Sequence, residues 1–413
     1  MRVASYLILG GGPAGLTMAR MLKDRGVKDV TILEASGKVG GKCLSSEIDD
    51  HVVEFGTCYA IWSHRYVLKQ MKKLGIRRNY LKAQRIDDRE LLDYIRSGSG
   101  PAFPLQAIKY AWLRWRLIAR ANKGDPGVNP VLSLPTSEWL QSQNLGKIEN
   151  MMHRVVTSIG YGYLDRVPLV HAMRWVDIDM LITGLIKFTV MPEGGWQHFW
   201  NRFAEPLDVR LNQMAARVRR LADGVEILTD DGVAYQADYL INTIPLDDFR
   251  KMTDITEAEA KVSEAIRWSG YTTTLLSVES WEHTAPVNSW SDTCANDAKD
   301  GQLLFSRYEC DDENDRALFS VGQSSAAYTP DELTELAVFS AQERGAVDPR
   351  IVQQVIWKYM PTYAAEGIRD GLLQTMIEMQ GEQRTYHTGS SFSHEAVSTI
   401  SAFNARLLAT VMA

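Results

Sequence analysis

The stretch "ILGGGPAG", Ile8 to Gly15, constrains the fold more than any other part of the chain. Gly10, Gly12 and Gly15 form Gly-x-Gly-x-x-Gly between an apolar run, Tyr6 to Leu9, and a segment with Leu16, Ala19, Met21 and Leu22 on a helical period. The first glycine permits a tight turn, the second lets the backbone approach a pyrophosphate, and the third lets the helix pack on the strand. Ala14 stands at the helix N-terminus, where free N–H groups and a positive dipole end face phosphates. Gly26 ends the helix, and Val30 to Leu33 read as a second buried strand. Such a strand–helix–strand unit implies parallel strands joined by a crossover. Glu34 closes the second strand about 20 residues on, as a ribose-hydroxyl partner does. These features fit NAD and FAD alike.

The next stretch, Ala35 to Lys42, separates the two. At a plain NAD site the chain moves from the acid to the next crossover. Here it reaches Gly40, Gly41 and Lys42. Adjacent glycines let the backbone curl back close to a ligand, and Lys42 can face a phosphate or ribityl oxygen. A cofactor that runs beyond one ribose needs such a wall, so the cofactor expected is FAD.

With 413 residues, the chain is long enough for two intimately joined domains. A net charge of -6 leaves no basic footprint for nucleic acid. The four cysteines form no Cys-x-x-Cys pair, which excludes a zinc ribbon or dithiol site and suggests reduced thiols in a cytoplasmic protein. The eight histidines, His51, His153 and His387 among them, show no metal spacing, and no metal is expected. No nucleophile elbow is present. The first residues mimic a secretory signal, but glycines interrupt the apolar core, and no other run is apolar enough to span a bilayer. No targeting or transmembrane segment is expected.

Between about Gly75 and Phe203 the composition shifts toward tryptophan. "PLQAIKYAWLRWRLIARANKG", Pro104 to Gly124, reads as a helix with an apolar face and a basic face of Lys109, Arg114, Arg116 and Arg120. The commoner reason for that pattern is a solvated face on a packed helix; the other is contact with a membrane surface or an acidic substrate. Asp-Gly pairs at Asp223-Gly224 and Asp231-Gly232 mark tight turns between strands. Thr272 to Glu279, Leu303 to Arg307 and Ala317 to Gly322 read as antiparallel strands of a second sheet. Thr329 and Glu332 form a capping box ahead of another helix, and "HEAVSTISAFNARLLATVM" closes the chain as a helix. The fold class is α/β: a Rossmann-like domain with a parallel sheet (1–74, 204–265 and 362–413), interleaved with a mixed α+β substrate-binding domain (75–203 and 266–361).

"LILGGGPAGLTMARMLKDRG…VTILEASGKVGGK" resembles the opening of the flavin amine oxidase superfamily. "VEFGTCYA", Val53 to Ala60, is similar to the segment that family passes along the isoalloxazine, which implies Gly56 and Thr57 at the flavin. "ARVRRLADGVEILTDDGVAYQADYLINTIPL" resembles its middle segment, where the backbone near Val218 meets the adenine. "TYHTGSSFSHEAVSTISAFNARLL" resembles its closing segment. That likeness puts Gly389, Ser390 and Val397 beside the flavin and points the N-terminus of the final helix at the ring, where its positive end favours anionic reduced flavin. Ser390 stands where the family usually has an acid. "WKYMPTY" lacks the cysteine that attaches flavin in some amine oxidases, so the FAD is expected to be non-covalent.

Within the superfamily, "GYGYLDRVP", "WKYMPTY" and "EMQGEQRTYHTGS" are similar to the bacterial polyunsaturated fatty acid double-bond isomerases. In those enzymes the flavin takes a hydride from an allylic carbon and returns it to another. The likeness implies that Arg85 holds a substrate carboxylate by bidentate hydrogen bonds. Cys58 becomes a small liner, with nothing adjacent to lower its pKa, and Tyr161 and Trp357 fall near the substrate. Ile159 and Gly184 stand where the isomerase has phenylalanines, which implies a differently shaped pocket and argues against borrowing linoleate as substrate. The function expected is hydride abstraction from a hydrophobic, lipid-like or polyketide-like unsaturated molecule, by an isomerase or a desaturase. The alternatives are an amine or amino-acid oxidase, with Lys187 or Lys358 near the flavin, and a non-catalytic FAD-binding protein.

Overall fold

The computed structural model describes residues 4–81, 84–90, 93–94, 102–186, 188–282, 286–295 and 297–412. Among these, a five-stranded sheet runs in the order Asp208–Arg210, Val30–Leu33, Tyr6–Leu9, Tyr239–Asn242, Thr385–His387, and every pairing is parallel. Its strands come from both ends and the middle of the chain. Leu7 and Leu9 face one apolar core, while Tyr6 and Ile8 face another. The sheet is thus covered on both sides, which is why its central strands read as continuous apolar runs.

The helices Pro13–Asp24 and Val397–Val411 cover the Ile8 face. Asn404 bridges them, donating to Ala14 O at 2.9 Å and to the Thr17 hydroxyl at 2.8 Å. The final helix begins three residues later than the sequence pattern suggests, because Ala396 is extended at φ -137°. Gly15 shows why its position takes only glycine: a Cβ there would sit 2.0 Å from Gly10 O.

A seven-stranded mixed sheet, Arg350–Trp357, Tyr271–Val278, Ala317–Ser324, Phe305–Asp311, Val287–Ser289, Gln84–Ile86 and Arg89–Glu90, forms the second layer. Its first five strands pair antiparallel, and three of them, Tyr271–Val278, Ala317–Ser324 and Phe305–Asp311, are the antiparallel strands the sequence suggests. Gln84–Ile86 joins it in parallel with Val287–Ser289, a long-range pairing without local signal. The capping box at Thr329 is present ahead of Pro330–Glu343. The segment from Phe103 to Ile186 is mostly helical, and its residues His153–Thr157 form a π-helical turn.

A second capping box, Thr256 with Glu259, escaped the sequence reading. Glu259 also accepts from Arg220 at 2.7 Å and faces His387 Nε2 at 2.9 Å, and both partner side chains are buried. The cluster ties the helix Glu257–Ala265 to the strands Ala215–Arg220 and Thr385–His387. Burial pushes the Glu259 carboxyl up, but the His387, Arg220 and Thr256 hydrogen bonds outweigh that and hold it at about 2.

Glu259→Gln removes the carboxylate that neutralises Arg220 in the interior, a change that costs about 3–5 kcal/mol. We expect a lower urea midpoint with an unchanged slope. The wild-type carboxyl titrates at about 2 folded against 4.5 for an ordinary glutamate. Its stabilisation is therefore complete above that ordinary value and lost as pH falls toward the folded one. Urea midpoints measured across this acid range should fall more steeply for wild type than for the variant.

Candidate functional site

A cavity of about 360 Å³ opens where the carboxyl ends of the central parallel strands meet the second sheet. Ligands bind at this place in open α/β sheets. Two helix N-termini reach it: Pro13 and Ala14 from the first helix, Ala396 and Val397 from the last. Their free N–H groups and dipoles make that wall positive.

Of the residues expected to hold a cofactor, Gly10, Gly12, Ala14, Glu34, Gly41, Lys42, Gly56, Thr57, Gly389, Ser390 and Val397 line this cavity. Gly389 has φ +102°, and a Cβ there would stand 2.9 Å from Thr243 O, so the closing segment can come this near only as glycine. Glu34 accepts from Gly11 N at 2.7 Å and from Ser36 N at 2.8 Å, which fixes its carboxylate at the strand end. Gly15 and Gly40 lie behind the lining. Gly40 N donates to Gly11 O at 2.9 Å, pinning the second glycine pair to the first. Ala35 is exposed beyond the strand end. Val218 is buried away from the cavity, and its N–H donates to Met252 O at 2.7 Å.

The donor set fits an extended dinucleotide. A carboxylate at the strand end would meet a ribose, glycine backbone and a helix N-terminus would hold a pyrophosphate, and a second helix N-terminus would face the far end. Gly56 passes so close that a Cβ would meet Lys42 O at 1.7 Å, which keeps "VEFGTCYA" against that far end.

The residues expected at the substrate divide. Cys58 and Ile159 line the cavity. Burial pushes the Cys58 thiol up, so it is a neutral liner. Tyr161 lies one layer behind: it stacks on His394 at 4.2 Å, and its hydroxyl accepts from Glu395 N at 2.9 Å. Trp357 also stands behind, donating to Phe55 O at 2.6 Å and stacking on Tyr359 at 5.4 Å. Gly184 lies in the helix Ile178–Ile186. Arg85 is not in the lining. Strand alternation turns its neighbour Gln84 inward, and the Arg85 guanidinium reaches Asp88 O at 3.4 Å. Lys358 pairs with Asp247 and Asp248 rather than facing the cavity, and Lys187 lies outside the described residues.

Two arginines the sequence reading passed over do line the cavity, Arg154 and Arg307. Arg154 sits in the π-helical turn and donates to Ser289 Oγ at 3.0 Å and Gln84 Oε1 at 3.3 Å, both neutral acceptors. Such turns recur at functional sites. Nothing in "MMHRVVTSIG" marks the residue beforehand. Burial works against the charge of Arg307, but Glu309 at 2.6 Å more than compensates and holds it ionised. A signal existed here, since Arg307 follows Leu303 and Phe305 at alternate positions, where a third apolar residue would be expected. Glu395, also unanticipated, pairs with Lys42 at 3.0 Å.

Proton-transfer groups are scarce in this lining. His64 is held neutral, at about 4, by burial. Burial keeps Tyr59, Tyr271 and Tyr359 protonated. Glu34 and Glu395 are already committed as acceptors.

The model of flavin-containing amine oxidoreductases matches residues 13–344. Polyamine oxidase 2 of Arabidopsis thaliana is 23% identical over 260 residues, covering 59% of this chain and 51% of that protein. The chain thus spans about half the length of this relative. The crystal structure of the CLA-producing fatty acid isomerase from P. acnes superposes with a TM-score of 0.86 at 21% identity, covering 99% of both chains. A redesigned putrescine oxidase, a triple mutant, gives 0.74 at 14% identity, covering 99% of this chain and 98% of that one. These likenesses show a shared fold, and the family supplies FAD as the cofactor. With its glycine-lined nucleotide cleft and a family match across most of its length, the chain belongs to the flavin-containing amine oxidoreductase family.

Proposed function

We propose that the protein removes a hydride from an allylic position of a hydrophobic, unsaturated carboxylic acid and returns it to another carbon, as a double-bond isomerase. The lining carries the reading: it is largely apolar, holds no uncommitted base among the described residues, and presents Arg154 on the side of the second sheet. FAD, when bound, supplies a two-electron hydride acceptor and donor. The chain's own residues position the substrate and exclude water. Phe305, Val287 and Ile159 furnish apolar wall, and Arg154 orients the chain by its carboxylate. Hydride chemistry of this kind needs a dry, fixed channel more than an acid and a base.

The second reading, oxidation of an amine, draws on the family match and the polyamine oxidase relative. The cavity's charge opposes it. Arg154, whose hydrogen-bond acceptors are both neutral, lines the cavity an ammonium group would enter. Hydrogen peroxide release across an amine panel would favour this reading over the first.

Under anaerobic conditions with a long-chain polyunsaturated acid, we expect a shifted double bond with no lasting bleaching of the flavin. Stoichiometric bleaching would show net oxidation and remove hydride return from the scheme.

Arg154→Leu should raise KM for the free acid roughly 10- to 100-fold, the loss of one charge-assisted contact, and leave the methyl ester unaffected. An equal change for acid and ester would show that Arg154 only supports the wall.

Lys42→Met or Glu395→Gln alone leaves one charge unpartnered beside the cofactor space, at about 1.5–3 kcal/mol. We expect each single variant to lose FAD more readily on dilution than the double variant. Additive losses would show that the pair acts as two independent contacts.

A further inference from the structure

We propose that the helix Phe103–Ala121 seats the protein on an anionic lipid surface, lying in the interface with its axis parallel to the membrane. Leu105, Ile108, Trp112 and Trp115 are 73%, 69%, 52% and 65% exposed. At 3.6 residues per turn these four fall within about 80° of one another. The exposed cations Lys109, Arg116 and Arg120 occupy roughly the next 40° of the same surface. Arg116 lies 4.7 Å over the Trp112 ring, and Arg120 shares its charge with Asp125.

This is the layout of an interfacial helix: an apolar band with aromatic residues and a basic edge. Tryptophan suits that depth because its ring is apolar and its N–H stays wet. The helix contains no Asp or Glu in a chain whose net charge is -6, so the positive edge is local and its complement is an anionic surface. A second copy of the chain is a poorer occupant, since pairing two such faces would bring cation against cation. No helix among the described residues is long and apolar enough to cross a bilayer, which leaves lying on the surface as the mode of contact.

The opposite face is fixed to the body of the protein. Tyr110 donates to Val176 O at 2.8 Å and Arg114 to Met173 O at 2.5 Å, on either side of Trp175. Trp175 lines the cavity, so the lipid-facing helix stands one helix away from the site. The proposal rests on this helix alone, and it stands or falls independently of the reaction assigned above.

The test uses the full-length holoenzyme and vesicles of phosphatidylcholine with or without phosphatidylglycerol. We expect co-sedimentation with the anionic vesicles that weakens with salt, and quenching of tryptophan emission by brominated lipid. Lys109→Gln and Arg116→Gln should each weaken binding roughly fivefold. Leu105→Ser/Ile108→Ser should abolish it, with melting temperature and flavin content unchanged. Equal binding to both vesicles, no binding to either, or a solution dimer that the Leu105→Ser/Ile108→Ser variant dissolves would each overturn the proposal.

Discussion

The ion pair between Lys42 and Glu395 joins residues 353 positions apart and stands at the cavity wall. Glu395 also accepts from Met360 N at 3.3 Å, and Lys42 O accepts from the Tyr359 hydroxyl at 2.8 Å. The Lys42 ammonium lies 4.6 Å over the Tyr359 ring. Three separate stretches, the second glycine segment, "KYMP" and the start of the final helix, are thereby locked together. Burial lowers the lysine's pKa, and Glu395 opposes that shift. A partly buried charge is tolerable only with its partner in place. Losing either partner therefore weakens the whole wall, and the same contacts tie the segment Tyr359–Met360 to the second glycine segment and the final helix.

That dependence explains which parts of the molecule were legible in the sequence. The strand–turn–helix around Gly10, Gly12 and Gly15 is local, and glycine requirements set by close backbone approach leave a fixed spacing. The capping box at Thr329 and the Asp-Gly turns are local too. The pairing of Gln84–Ile86 with Val287–Ser289 is not local, and it decides which of Gln84 and Arg85 faces the cavity. A one-residue difference in a strand reverses every side chain. A resemblance that leads to the right strand can therefore still single out Arg85, whose face is turned from the cavity, in place of the inward Gln84. Arg154 was invisible for a different reason: a π-helical turn widens the helix and aims a residue that helical periodicity alone places elsewhere.

The walls divide by chemistry as well as by sequence origin. On the nucleotide side, backbone N–H groups and helix ends provide the polarity, so few side chains are needed. On the second-sheet side, the polarity comes from Arg154 and Arg307 set among apolar residues. Arg307 is neutralised by Glu309 and acts as a fixed strut, hydrogen-bonding Glu54 O at 3.4 Å. Arg154 has neutral acceptors, so no carboxylate among its hydrogen-bond partners offsets its charge. The difference between the two arginines lies in their partners, and a sequence does not list partners.

Behind the wall, Tyr161, His394 and Trp175 stack face to face, with His394 at 4.2 Å from Tyr161 and 5.5 Å from Trp175. Burial, with His171 and Arg174 nearby, holds His394 well below the usual histidine range, so the ring is neutral. Neither ring nitrogen has a hydrogen-bond partner among the described residues. An unmet buried polar group costs about 1–3 kcal/mol, and native proteins concentrate such costs near functional sites. Here the cost falls on the residue directly before Glu395, between two aromatic rings that leave it no room to turn. The stack fixes Trp175 in the lining and sets the start of the final helix, so one neutral ring steadies both an apolar wall residue and the helix end at the cavity.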